Sequence, residues 1–172
     1  WVKYAEQFYP DLLPLLSTCK SPQQMMGSII KNYFAQNKGL KSSEIFSVSV
    51  MPCLAKKFEA QRPEMTSKGL SDVDLVLSTR ELAKLIRLYG IDMQAIEPQL
   101  ADNPFGTRSS AGKLFASSGG TAESIARTLY NSVTNKDMLS PKINEFRSGS
   151  ELKKVDIKVG EETFKFIVAN GL

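Results

Sequence analysis

The sequence predicts an α/β fold. Helical and strand-like patterns alternate over the first half of the chain, the order that parallel strands with helical connections produce. Two short segments, residues 45–51 and 73–77, are rich in Val, Ile and Leu, as buried strands are. Toward the end, Val155, Ile157 and Val159, then Phe164, Phe166 and Val168, alternate strictly on either side of Gly160-Glu161-Glu162, a hairpin signature.

Taken in order, Val2, Ala5, Phe8 and Tyr9 recur at helical spacing and predict a first helix running to Pro10. Residues 11–16 are apolar but interrupted by Pro14, which predicts a short helical turn leading into a loop over 17–20. Ser21-Pro22-Gln23-Gln24 reads as a helix start: Ser21 as N-cap, Pro22 at the first helical position, Gln24 closing a capping box. That helix is expected to turn Met25, Met26, Ile29, Ile30 and Phe34 inward and to end near Lys38-Gly39. Residues 45–51 form the first buried strand, and Pro52 and Cys53 follow it. Residues 56–68 carry Arg62-Pro63-Glu64-Met65 and are expected to be a surface loop, too broken for a helix. After the second strand, flanked by Asp72 and interrupted by Asp74, Ser78-Thr79-Arg80-Glu81 is a capping box. It opens a helix with Leu82, Leu85, Ile86 and Tyr89 on its inner face, closed by Gly90. Residues 91–106 are loop-like, with Pro98 and Pro104 and one helical turn over 92–96. A helix over 121–133 is expected to bury Ala122, Ile125, Ala126 and Leu129.

At 172 residues, with 42% hydrophobic and 23% charged residues, the chain has the composition of a globular protein able to build a core. No apolar run approaches the roughly 18 residues needed to cross a bilayer. Two cysteines cannot make a disulfide framework, which points to a reducing compartment. The absence of histidine excludes Ser-His-Asp and Cys-His catalysis and every His-ligated metal from this segment. The net charge of +4 is spread along the chain; it suits an acidic partner and suits a generic lysine-rich surface better still, and no basic-aromatic motif points to nucleic acid. Gly106 to Lys113 superficially resembles a phosphate-binding loop. Five residues rather than four separate Gly106 from Gly112, Leu114 replaces the required Ser or Thr, and no strand precedes it, so a nucleotide site is rejected. The chain opens on Trp1 and stops just after a strand-like run, and is expected to be an internal segment, incomplete at both ends.

Val48 to Glu59 is the stretch around which the rest is organised. A proline and a cysteine at the end of a strand put a soft ligand or nucleophile where α/β folds hold their sites. Lys56 and Lys57 place positive charge beside it. The alternative is a buried structural thiol with two solvated lysines.

The run V-M-P-C-L-A-K-K-F-E-A-Q-R-P-E-M from Val50 to Met65 closely resembles the second cluster-binding motif of FeFe (iron-only) hydrogenases. S-T-C-K-S-P-Q-Q-M from Ser17, D-V-D-L-V-L-S-T-R-E-L from Asp72 and S-S-A-G-K-L-F-A-S-S-G-G from Ser109 resemble further stretches of that family, in order and at matching spacing. Trp1 is similar to the tryptophan that closes the family's first motif, Thr-Ser-Cys-Cys-Pro-x-Trp. The resemblance implies a two-lobed α/β catalytic domain of small twisted sheets flanked by helices, of which residues 1–172 would be part. Between the lobes it implies the H-cluster: a 4Fe-4S cubane joined through a cysteine sulfur to a two-iron unit carrying CO, cyanide and a bridging dithiolate. Four cysteines hold it in the family. One corresponds to Cys53; the others belong to motifs expected before Trp1 and after Leu172.

On the same resemblance, Cys53 ligates a cubane iron as thiolate, the soft ligand such clusters take. Lys56 holds a cyanide of the two-iron unit by a charge-assisted hydrogen bond. Met51 and Pro52 line the apolar wall, with Phe115 across from them. Ser21, Pro22 and Gln23 form a helix start beside the cluster, and Gln23 can donate to cyanide. Ser17 matches a serine that passes protons along the path from solvent. Ala55, Ser110, Ala116 and Thr121-Ala122 depart from the common pattern by small changes. Cys19 has no ligand role and is expected to be a core thiol; Lys57 is expected to be solvated.

The implied activity is reversible reduction of protons to dihydrogen, with electrons from ferredoxin or another iron-sulfur carrier, in the cytoplasm or a hydrogenosome, without nucleic acid or membrane. The alternative is a non-enzymatic relative, a hydrogen-sensing domain or an iron-sulfur assembly factor, that keeps the fold and cubane site. Thr79-Arg80-Glu81, Phe58 and the R-P-E-M run fit the hydrogenases better than the assembly factors.

Overall fold

Helix α1, Val2–Phe8, begins the chain and is followed by a 3-10 turn at Pro10–Leu15, as the spacing and Pro14 predict. The computed structural model describes residues 1–106, 111–115, 117–147, 149 and 151–169, and it divides into two compact units, Trp1–Leu100 and Ala101–Leu172. Thr107 to Ser110, Ala116 and Asn170 to Leu172 lie outside the described residues. So therefore do the Ser110 and Ala116 departures and part of the Ser109–Gly120 motif.

In the first unit, α2 (Pro22–Ile29) continues through one π-helical turn at Ile30–Phe34 into α3 (Ala35–Asn37), ending where expected. Its inward face is not the expected one. Gln23, Gln24, Gly27, Lys31 and Ala35 are buried, while of the residues expected inward Met25, Met26 and Ile29 are exposed and Ile30 and Phe34 half-buried. Apolar periodicity predicts one face, but the helix packs by its small and polar residues. Gly27 lies so close to the following segment that a Cβ there would stand 2.4 Å from the Asp72 carbonyl oxygen. Lys31 Nζ, almost fully buried, donates to the Ile45 carbonyl at 2.5 Å and pairs with Asp74 at 2.7 Å. Ser21 is the N-cap, yet its hydroxyl is turned away from the helix, and the fully buried Gln24 closes no capping box.

Strand β1 (Val48–Met51) pairs in parallel with β4 (Leu75–Ser78), in register from Val48 opposite Leu75 to Met51 opposite Ser78. The parallel arrangement is as expected. The first strand is shorter than expected and not buried: Val48 and Val50 are exposed, because β4 is the one strand paired with it among the described residues. Parallel neighbours need a crossover. Here it contains α4 (Ala55–Ala60) and a small hairpin of β2 (Thr66–Ser67) and β3 (Leu70–Ser71), where a plain loop was expected. Pro63 lies beyond the helix and so does not interrupt it.

Two aspartates fasten the crossover's return. Asp72 is fully buried and accepts from Lys20 Nζ at 2.5 Å and Ser67 Oγ at 2.6 Å. Burial pushes the Asp74 carboxyl up, but hydrogen bonds from Lys31, the Ser47 amide and the Ser47 hydroxyl outweigh it and hold the group below its ordinary range. Helix α5 (Thr79–Leu88) then starts at the expected capping box: Glu81 N donates to Ser78 Oγ at 3.2 Å and Ser78 N to Glu81 Oε2 at 2.7 Å. Leu82 and Ile86 are half-buried, whereas Leu85 and Tyr89, also expected inward, are exposed. The turn over 92–96 is present, with Ala95 N donating to the Asp92 carbonyl.

The second unit contains α6 (Ala111–Leu114), α7 (Gly120–Thr134), α8 (Ser140–Arg147) and the antiparallel hairpin of β5 (Leu152–Val159) and β6 (Glu162–Ala169). The hairpin is as predicted, turned at Gly160 with φ of 65°. Its Val155, Ile157 and Val159 pack with Ala126 of α7, Met138, and Ile143 and Phe146 of α8 into one core. Phe146 meets Phe166 edge-on at 5.6 Å. Ala126 is buried as expected, but Ile125 is exposed, and the fully buried neighbour is Glu123. Burial raises the Glu123 carboxyl, and hydrogen bonds from Arg147 and Arg127 outweigh this and lower it.

Candidate functional site

Met51 opposite Ser78 marks the carboxyl end of both parallel strands, the edge where open α/β sheets hold ligands. Pro52 and Cys53 leave β1 at this edge. A proline there ends the ladder without leaving an amide unpaired. Cys53 is an exposed free thiol, so it is no structural core residue. The Lys56 amide donates to the Cys53 carbonyl at 3.2 Å, closing the turn that starts α4, so the thiol and the Lys56 side chain belong to one tight turn.

Ser21, Gln23 and Lys56 converge on Glu59, to which no motif role falls. Glu59 Oε2 accepts from Ser21 Oγ at 2.8 Å, Gln23 Nε2 at 3.0 Å and Lys56 Nζ at 3.1 Å. Gln23 is held twice more: its Nε2 donates to the Lys56 carbonyl at 3.1 Å, and its Oε1 accepts from Ser49 Oγ of β1 at 2.9 Å. An ammonium, a carboxamide and a hydroxyl therefore point at one place beside the cysteine turn. Such a donor set suits an anionic acceptor, and here the Glu59 carboxylate is that acceptor. Glu59 is legible only once residues 55–60 are known to be helical, since a helix puts Lys56 and Glu59 on one face; Ser49 of β1 joins the site only through the tertiary approach of Gln23.

Lys57 corrects its solvated reading. Its Nζ pairs with Glu81 Oε1 at 2.6 Å, and with the Ser78 amide and hydroxyl it pulls the Glu81 carboxyl down to about 2. The ion pair ties α4 to the capping box of α5. Cys19 likewise corrects its core reading: it is exposed, and its amide donates to Ser17 Oγ at 3.2 Å. Ser17 is thus engaged within its own loop. Met51 is half-buried at the end of β1, Pro52 is exposed, and Pro22 occupies the first turn of α2. Phe115 belongs to the second unit and is 44% exposed.

No group of three or more His, Cys, Asp or Glu side chains is placed to hold a metal ion among the described residues. The residues present fit one thiolate ligand and the hydrogen-bonding periphery of a cluster rather than a complete ligand set.

Residues 1–172 match the family model described as iron only hydrogenase large subunit, C-terminal domain. The chain is 41% identical over 172 residues to the NADP-reducing hydrogenase subunit HndD of Solidesulfovibrio fructosivorans, covering 100% of this chain and 29% of that one. It is 37% identical over 133 residues to the cytosolic Fe-S cluster assembly factor narfl of Xenopus tropicalis, covering 74% of this chain and 28% of the relative. Among solved structures it is similar to the apo [FeFe]-hydrogenase HydA1 from Chlamydomonas reinhardtii, with TM-score 0.71, 34% identity, 91% of this chain and 39% of that one covered. The chain spans less than a third of the length of both curated relatives.

Proposed function

The chain belongs to the iron-only hydrogenase large-subunit family, and from that premise we propose that residues 1–172 form part of an H-cluster catalytic domain. In the full-length protein that domain reduces protons reversibly to dihydrogen, with electrons from ferredoxin or another iron-sulfur carrier. The observation that carries the proposal is the placement of an exposed Cys53 at the carboxyl edge of the parallel strands, one turn from the Lys56, Gln23 and Ser21 donors.

Cys53 supplies one thiolate to a cubane iron, and the remaining thiolates come from elsewhere in the protein. Lys56 holds a cyanide ligand and so orients the two-iron unit, while Gln23, whose two amide hydrogens go to the Lys56 carbonyl and to Glu59, braces that turn rather than donating to cyanide. Met51 and Pro52 form an apolar wall that keeps water from the reacting iron. Ser17 carries a proton through its hydroxyl, which accepts from the Cys19 amide and retains its own hydrogen to donate. Bound, the cofactor supplies the redox iron at which protons and electrons combine.

Cys53→Ala in the full-length protein is expected to abolish cluster retention and hydrogen evolution together, read by iron content and dihydrogen release. Retention of both sinks the proposal. A second reading, an iron-sulfur assembly factor or hydrogen-sensing domain without turnover, is favoured by the 37% identity to an assembly factor. A cluster-loaded wild-type protein that evolves no hydrogen from reduced ferredoxin would select it. No helix among the described residues is long and apolar enough to cross a membrane. We place the protein in the cytoplasm or a hydrogenosome, which fractionation of the source cells tests.

A further inference from the structure

We propose that Glu59 is a positioning residue for the two-iron unit, acting through Lys56, Gln23 and Ser21. The inference rests on the H-cluster reading above and goes beyond it, since none of the roles drawn from the resemblance falls on Glu59.

One carboxylate oxygen collects three donors from two separate elements, α4 and the start of α2. Left alone, a half-buried lysine still samples several rotamers, and holding it for one acceptor costs entropy. Glu59 removes that cost before the cofactor arrives. Lys56 Nζ keeps two further hydrogens after donating to Glu59, so one ammonium can serve the carboxylate and an incoming cyanide together. Gln23 is 5% exposed and locked through Ser49, the Lys56 carbonyl and Glu59, so its amide cannot turn to follow a misplaced ligand.

The Lys56–Glu59 pair has little to offer the fold itself. Both side chains are partly solvent-exposed, 30% and 21%, and such pairs at i,i+3 contribute little to stability. The same oxygen also ties the start of α2 to α4 through Ser21 and Gln23, a tie that a neutral amide oxygen can keep, so what the charge itself adds falls on the Lys56 ammonium and the ligand it faces.

The test uses full-length protein with its cubane reconstituted, supplied with a synthetic two-iron complex carrying CO, cyanide and a bridging dithiolate. Glu59→Gln keeps the shape and removes the charge. It is expected to leave iron content of the cubane and the thermal midpoint unchanged, to shift the cyanide infrared bands, and to release the two-iron unit about tenfold faster, the effect of roughly one charge-assisted hydrogen bond. Glu59→Asp, which retains the charge but shortens its reach, should fall between the two. In a Lys56→Met background, Glu59→Gln should shift the bands far less than it does alone. Wild-type bands and release in Glu59→Gln overturn the proposal. So does loss of the cubane or of the fold, which would make Glu59 structural. Failure of the underlying H-cluster reading is distinct: the wild-type protein itself would then take up no two-iron complex.

Discussion

Neighbouring lysines show how little a residue's type says until its helix is known. Lys56 and Lys57 are adjacent, yet one points to Glu59 of its own helix and the other to Glu81 of α5, because successive helical residues diverge by about 100°. Gly27 makes the same point for the smallest side chain. Its backbone approaches Asp72 so closely that an added Cβ would meet the carbonyl oxygen at 2.4 Å, and the carbonyl carbon and Val73 Cγ2 each at 2.8 Å. Two of the three obstacles are backbone and cannot move without shifting the buried Asp72. Gly27→Ala is therefore expected to destabilise the protein by about 1–3 kcal/mol, the usual cost of overpacking, and to lower the thermal midpoint. An unchanged midpoint would show that α2 is free to move off the Asp72 segment.

Among the elements, the start of α5 joins a capping box to an ion pair from α4. Lys57, the Ser78 amide and the Ser78 hydroxyl all favour the charged form of Glu81, which brings its carboxyl from the ordinary 4.5 to about 2. A depressed carboxyl stabilises the fold above its ordinary value, and that contribution fades as pH falls from about 4.5 through 2. A side-chain carbon NMR titration of Glu81 is expected to give a midpoint near 2, and Lys57→Met should move it upward. A midpoint at the ordinary value would deny both the ion pair and the capping box. The box was legible because Ser-x-x-Glu is a local pattern; the lysine was not, since it arrives from a helix 24 residues earlier.

Each unit of the whole molecule is held by a different kind of interior. The first joins α2 to the strands largely through polar contacts, Lys20 on Asp72 and Lys31 on Asp74, whereas the second closes an apolar core around Phe146. Phe146 is fully buried between α8 and the hairpin, so Phe146→Ala is expected to cost about 3–5 kcal/mol and to strip hydrogen-exchange protection from β5 and β6. Retained protection would place the hairpin's support elsewhere. By itself the sequence determined what is local or periodic: the α/β class, the hairpin, the capping box at Ser78, the helix over most of 120–134, and the cysteine turn with its family motif. Tertiary structure alone decided which faces are inside and which charges meet. Met25, Met26 and Ile29 look like a core stripe and are exposed, because the approach of α2 is set by Gly27 and its buried polar neighbours. Glu59 became part of the site because a hydrogen bond needs two groups within about 3 Å. Ser21 and Gln23 are brought to it across 38 and 36 residues of chain, a separation no local pattern encodes.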